Sequence, residues 1–261
     1  MKKICIMAAS LLCALLCAAP ETTGQSIRLR VMSMNIKEGA SYAGHESGPY
    51  AELINGKAPD VVCLQEVDWM TVRNGGRDFL NELASKTGMF PYWCMSFSYQ
   101  GGGFGVALLS RYPFMKAEKI TTVLDGAKEP RSTGWIYVML PGGGTVRVAS
   151  THLALETPQI TTRNIADINS RMFENDSLTP TLLIGDFNAA EGSDPIAYAK
   201  TRWQEIGAGT GFTIPSDKPN RKLDYVMGYP KKWNASSYEI IARPDLSDHC
   251  FIVADVVYGE E

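Results

Sequence analysis

Leu182-Leu183-Ile184-Gly185-Asp186-Phe187-Asn188 sets three apolar residues before a glycine break, then offers a carboxylate and an amide two positions apart. The apolar run reads as a short buried strand. Residues i and i+2 on a strand point the same way, so Asp186 and Asn188 share one face. A carboxylate there accepts a proton or orients water, and an amide beside it holds an oxyanion or a water. The same pair also suits a plain Asx turn at a strand end. Which reading holds depends on what the rest of the chain brings to meet it.

Working outward, the run IRLRVMSMNI (27–36) alternates into a strand with Asn35 near its end. VVCLQEV (61–67) is apolar on both faces until Gln65 and Glu66, as a central strand should be. A carboxylate ending such a strand must find a charge, a metal or water. Helices are expected over 48–57, over 76–87 with Phe79, Leu80 and Leu83 inward, over 158–173, and near 195–200. From Phe90 to Val148 one strand follows another, with glycine-rich turns at 101–103 and 142–144. The glycines at 101–103 precede no Lys-Ser/Thr and no helix, which argues against a nucleotide loop. Strand 145–152 ends in Ser150-Thr151-His152, strand 223–227 contains Asp224, and strand 250–257 is entered through Ser247-Asp248-His249. The two halves echo each other, with strands separated by helices and a polar residue at a strand end. No linker divides them. The central run of strands favours α+β with two packed sheets flanked by helices over a single doubly wound sheet.

The N-terminus reads differently from the rest. Lys2 and Lys3 precede an apolar run from Ile4 to Ala19, and a polar stretch follows. That is the layout of a secretory signal, too short for a membrane span. The expected division is a signal peptide over 1–24 and a single domain over 25–261, exported to the periplasm or the exterior. Cys13 and Cys17 each follow a leucine rather than a small residue, which disfavours a lipid anchor. Of 25 basic and 28 acidic residues, the signal removes two lysines and Glu21, leaving 23 against 27. A net charge of −4 argues against a broad electrostatic grip on nucleic acid. Beyond the signal only Cys63, Cys94 and Cys250 remain, so this is no disulfide scaffold, though one bridge is open to it.

Asn35, Glu66, His152, Asp186, Asn188, Asp224, Asp248 and His249 thus all fall at or beside apolar strand ends. Carboxylates with amide help suit a hard cation such as Mg²⁺. Two histidines suit binding or protonating an oxyanion, and a nearby Asp charges an imidazole. Together they supply what metal-assisted phosphate-ester hydrolysis needs. Singly, Asn35 reads as a turn residue, Asp224 as a partner for Arg221 or Lys222, and His45 as exposed. No cysteine or histidine pair has zinc spacing, and no G-x-S-x-G elbow is present.

With those residues in view, the chain resembles the endonuclease/exonuclease/phosphatase superfamily, which includes DNase I, apurinic endonucleases, neutral sphingomyelinases and inositol-polyphosphate 5-phosphatases. The matching stretches are MNI (34–36), LQEV (64–67), GVALLSRYP (105–113), STHL (150–153), LIGDFN (183–188), LDYV (223–226) and SDH (247–249), in the family's order. The resemblance implies a DNase I-like four-layer αββα sandwich whose site lies where the strand ends of two sheets meet. It implies Glu66 as the principal Mg²⁺ ligand, with Asn35 close by and Asp248 as a second ligand; Mn²⁺ is the alternative ion. Asp186 would orient or deprotonate the attacking water beside Asn188. His249, paired with Asp224, would contact phosphate and serve in acid–base chemistry, with His152 on the phosphate or leaving group. Arg111 and Arg131 would add phosphate contacts. Lys37 stands where apurinic endonucleases carry an acidic residue, which disfavours abasic-site repair. The expectation is a secreted, monomeric, Mg²⁺-dependent phosphoesterase, cleaving diesters in preference to monoesters. The rivals are a DNase I-like endonuclease, which the charge does not support, and a non-catalytic binding module on the same fold.

Overall fold

The computed structural model describes residues 26–259; the expected signal peptide lies outside the described residues. The first half contains β1 (Ile27–Asn35), α1 (Gly48–Lys57), β2 (Val61–Trp69), α2 (Phe79–Thr87), β3 (Phe90–Tyr99) and β4 (Gly102–Ser110). The middle supplies β5 (Phe114–Thr122), β6 (Arg131–Met139), β7 (Thr145–His152), α3 (Pro158–Met172), β8 (Thr181–Asp186) and α4 (Asp194–Arg202). The remainder is β9 (Gln204–Ile206), β10 (Asp224–Tyr229), β11 (Trp233–Ile241) and β12 (Phe251–Tyr258). They form two six-stranded sheets, ordered β11-β12-β1-β2-β4-β3 and β5-β6-β7-β8-β10-β9. Each sheet has one parallel pair near its centre, β1 with β2 and β7 with β8. Both pairs are joined through a helix, so the echo between the halves is a shared topology.

The alternation of side chains along the strands explains the layering. Val31, Cys63, Leu182 and Ile184 point between the sheets into one apolar layer. Met32, Val62 and Leu64 turn the other way, onto Tyr50, Ile54, Phe79 and Leu83 of the first two helices. Leu183, Tyr225 and Met227 do the same on the second sheet, against Ile165, Ile168, Ile196 and Ala199. Strands apolar on both faces therefore sit between a sheet and a helix layer, and the result is the four-layer αββα sandwich. Each buried Leu, Ile or Val contributes roughly 1.5–3 kcal/mol. Among the described residues, no helix is long and apolar enough to cross a membrane.

Helix boundaries follow capping chemistry. α2 starts at Phe79 rather than at 76, because Gly75 and Gly76 turn with φ of 71° and Asp78 accepts the Asn81 N–H. In α3, Thr157 accepts the Ile160 N–H and Pro158 occupies the first turn. Strand β11 was not foreseen; it is an edge strand whose WNASSYEII residues are mostly exposed, so it carries no apolar alternation. Cys63, Cys94 and Cys250 are all buried free thiols, so no bridge is formed among them.

Gly185 controls how closely β8 approaches its neighbour. Its φ is 144°, and a Cβ there would lie 2.1 Å from the Thr151 carbonyl oxygen. Gly185→Ala is therefore expected to destabilise the fold by about 3 kcal/mol. Gly56→Ala, in α1 with open space around it, is expected to stabilise by about 0.5 kcal/mol. Urea unfolding of both variants measures the contrast, and equal stabilities would refute the close-approach argument.

Candidate active site

Strand register brings the second sheet's polar residues together. Asp186 ends β8 with His152 of parallel β7 on one side and Asp224 of antiparallel β10 on the other. In the first sheet Asn35 is opposite Gln65, and Glu66 follows in a bulge against β4 with φ of 59°. A bulge re-aims a side chain, and here the left-handed backbone is the cost of turning a carboxylate into the cleft. Ser247 donates to the Asn35 carbonyl at 2.7 Å and accepts the His249 N–H at 3.1 Å, tying the segment before β12 to the end of β1. Buried Gln65 joins the two sheets by donating to Ser150 Oγ at 3.2 Å, and Ser150 donates to the Leu64 carbonyl at 3.0 Å.

The Asp186 carboxylate is the centre of the cluster. Its Oδ2 accepts from Asn35 Nδ2 at 3.1 Å and lies 3.6 Å from His152 Nε2 and 3.7 Å from His249 Nε2. Its Oδ1 accepts the Asn188 N–H at 2.8 Å, so the Asx turn is real. Asn188 also lines the cleft and donates through Nδ2 to the Leu153 carbonyl at 2.9 Å. Asp186 and Asn188 both make that turn and line the cleft. Burial, then repulsion from Asp224, pushes the Asp186 carboxyl up to about 7, against the pull of His249 and the Asn188 N–H.

The two imidazoles are held in opposite states. Burial depresses the His249 imidazolium, but Asp224 Oδ2 at 2.9 Å from Nδ1, with Asp186 and Asp248 behind it, outweighs burial and raises the pKa to about 10. Asp224 thus pairs with His249 rather than with Arg221 or Lys222; Lys222 is buried against Glu205 at 2.7 Å. His152 is lowered well below its ordinary value by burial and by the positive charges of Arg131, His249 and Lys37. Arg131 Nη1 stands 3.4 Å from His152 Nδ1. Arginine only donates, so that contact leaves the His152 proton on Nε2, facing Asp186. Near neutral pH the cleft holds one imidazolium and one neutral imidazole, each with an N–H directed toward Asp186.

Glu66 Oε1 accepts from Asn35 Nδ2 at 3.2 Å, and Oε2 accepts the Glu38 N–H at 2.9 Å. Asn35 therefore spaces two carboxylates with its NH₂ group, while its amide oxygen accepts the Lys37 N–H at 3.1 Å. That oxygen is the atom a metal would need, and it keeps a second lone pair for one. Asp248 faces Lys37, with Oδ2 at 3.3 Å from Nζ. The cleft lining holds the carboxylates Glu38, Glu66, Glu129, Asp186 and Asp248, with Asp224 behind them, against the cations Lys37, Arg73, Arg131 and His249. Asp224 Oδ1 is buried without a partner. An excess of negative charge on hard oxygen donors fits a divalent cation. Glu66, Asp186 and Asp248 face the cleft, whereas Asp224 lies behind His249, outside the lining.

The cleft has a volume of about 370 Å³, and Arg131 is in its wall. Arg111 is not. Its Nη2 donates to the Pro59 carbonyl at 2.9 Å, and its short strand-end loop leads toward Asp60, away from the carboxylates. His45, expected to be simply exposed, instead has Nδ1 2.7 Å from the Gly39 carbonyl. Phe97, Tyr99 and Phe104 also line the cleft, with the Arg73 guanidinium 4.7 Å above the Tyr99 ring and fixed by Asp68. Tyr92 and Trp93 pack against apolar layers instead. Glu38 and Arg73 were missed from sequence, and Lys37 was noted only as standing where apurinic endonucleases carry an acidic residue; nothing local marks Arg73.

The Endonuclease/Exonuclease/phosphatase family profile matches residues 32–249. No curated protein matches the chain. Among solved structures, an endonuclease/exonuclease/phosphatase from Bacteroides vulgatus is 16% identical at a TM-score of 0.75, covering 89% of this chain and 100% of that one. A mannosyl-6-phosphatase from Bacteroides thetaiotaomicron is 14% identical at a TM-score of 0.72, over 88% of this chain and 100% of that one. The catalytic domain of human Nocturnin, solved with a bound sulfate anion, is 19% identical at a TM-score of 0.70, over 90% and 97%. These likenesses carry the fold, and the profile match across most of the strand-end residues carries the assignment: the chain belongs to the endonuclease/exonuclease/phosphatase family.

Proposed function

We propose that this protein is a secreted phosphoesterase, dependent on Mg²⁺ or Mn²⁺, that hydrolyses phosphate esters and prefers diesters. The observation that carries the reading is the Asp186 carboxylate flanked at 3.6 and 3.7 Å by two imidazoles in opposite protonation states. Pairs of titratable groups driven apart by their surroundings mark acid and base assignments. A divalent ion held by Glu66, with Asp248 and Asp186 close by, would supply charge neutralisation at the phosphate. Asp186 orients the attacking water and takes its proton, its Oδ1 kept in place by the Asn188 N–H. His249, kept charged by Asp224, holds a phosphoryl oxygen and gives a proton to the leaving oxygen. His152 donates from Nε2 to another phosphoryl oxygen, with Arg131 fixing its tautomer. A proton donor serves the alkoxide leaving group of either ester class, so the preference for diesters rests on the family resemblance and is decided by the paired mono- and diester substrates below.

A duplex nuclease is not favoured, because the net charge of −4 left after the expected signal gives no broad electrostatic grip on a phosphate backbone. The intact cluster of Glu66, Asp186 and His249 likewise disfavours a non-catalytic module. Export is supported by Lys2, Lys3 and the apolar run that follows them.

The test is hydrolysis by the purified protein of aryl phosphate mono- and diesters, sphingomyelin, phosphatidylinositol phosphates, mannose 6-phosphate and plasmid DNA, each with and without EDTA. Chelator-sensitive turnover is expected, and silence across the panel from folded protein would reject the reading. Asp186→Ala and His249→Ala are each expected to lower kcat about 10³-fold. Arg111→Ala, directed away from the cleft, should change it less than about twofold. Steady-state kinetics on the best substrate separate these outcomes.

The Asp186 shift also predicts a pH dependence. Its folded pKa lies above the unfolded value, so its contribution to stability is present at low pH and is lost as pH rises through about 7. Cation binding needs the ionised form. The rise in Tm on adding Mg²⁺ should therefore be larger near about pH 8 than near about pH 5.5. Thermal melts at both values check this, and a pH-independent increment would contradict it.

A further inference from the structure

Residues Lys37, Glu38, Gly39 and Ala40 turn left-handed in succession, with φ of 48°, 46°, 65° and 67°. For residues with a Cβ this costs roughly 1–2 kcal/mol each, so the surroundings must enforce it. The Lys37 and Glu38 N–H groups are taken by Asn35 Oδ1 and Glu66 Oε2, and the Ala40 N–H by the Ile36 carbonyl at 3.1 Å. His45 meets the Gly39 carbonyl, and Ser41 Oγ donates to the Lys37 carbonyl at 3.1 Å. Asp68 fills the space where a Gly39 side chain would go, with its Cβ 2.7 Å from that point. Strain maintained by so many partners at a cleft is a device for aiming something.

What it aims is the Lys37 ammonium. The side chain lines the cleft and is one-third exposed, with Nζ 3.3 Å from Asp248 Oδ2. Among the described residues Asp248 is the one side-chain partner of Nζ, which leaves donors of the ammonium free to reach a ligand. We propose that Lys37 is the site's built-in second cation. It neutralises Asp248, holds a phosphoryl oxygen of the bound ester, and keeps the Glu66–Asp248 side of the cleft from taking a second divalent ion. The contact with an ester and the first ion rest on the phosphoesterase reading; the exclusion of a second ion rests on the Lys37–Asp248 geometry.

The experiment is equilibrium dialysis with Mn²⁺, followed by titration with inorganic phosphate at saturating Mn²⁺. The wild-type protein should bind one Mn²⁺, and Lys37→Asp should bind two. Lys37→Ala should weaken phosphate binding about tenfold or more, the loss of a charged hydrogen bond, and Lys37→Arg should keep it within about threefold. Two Mn²⁺ on the wild-type protein, or unchanged phosphate affinity in a folded Lys37→Ala, would overturn the proposal. The wild-type ion count needs no variant to fold. Neither measurement needs turnover, so failure of the hydrolysis panel would leave the result on Lys37 readable.

Discussion

The burial of one carboxylate governs the arrangement of this molecule. Asp186 is 1% exposed at the seam between two sheets. Taking an ion out of water costs several kcal/mol unless hydrogen bonds and opposite charge replace the water. The Asn188 N–H, the Asn35 amide and the His249 imidazolium each supply part of that replacement. Every one of them comes from a different strand end or loop. The fold can satisfy Asp186 only by bringing those ends to one place, and that place is the cleft. The remaining deficit, with Asp224 Oδ1 left unpaired, is tolerated because three apolar layers hold the sheets and helices together.

The same crowding separates the two histidines. His152 and His249 lie at almost equal distances from Asp186. What differs is the group behind each ring: Arg131 behind His152, Asp224 behind His249. A cation behind one ring and an anion behind the other drive their pKa values apart, although burial lowers both. Chemistry that needs a proton donor and a neutral hydrogen-bond donor side by side finds both within one cavity.

Backbone strain concentrates at the same end of the sandwich. Glu66, Lys37, Glu38 and Asn188 all have positive φ, and each of their side chains lines the cleft. The strands that support them are regular and buried. The Gln65–Ser150 tie between sheets is 0% exposed at both residues, so the support beneath the strained segments is rigid. Strained positions on a regular scaffold are the pattern expected where a site is preorganised.

Much of this was legible in the chain. Strands β2, β8 and β12 are near-continuously apolar and β1 and β7 alternate, and the polar residues closing them, Asn35, Glu66, His152 and Asp186, stand out against that background; Asp248 and His249 do the same at the entry to β12. Edge strand β11 was not legible, because a strand with one neighbour and a solvated face needs no apolar alternation. Arg111 read as a phosphate contact on its motif, but the direction of its loop belongs to the packing against Pro59 and Asp60. By itself the sequence determined the layers, the element order apart from β9 and β11, and the polar residues at the strand ends, since those follow from local periodicity. The His249–Asp224 pair was implied by the family resemblance and stands at 2.9 Å; the tertiary structure alone decided that Arg131 lies behind His152 and Lys37 beside Asp248. These are pairings between distant segments, and charge states and proton positions depend on through-space distances that no local pattern records.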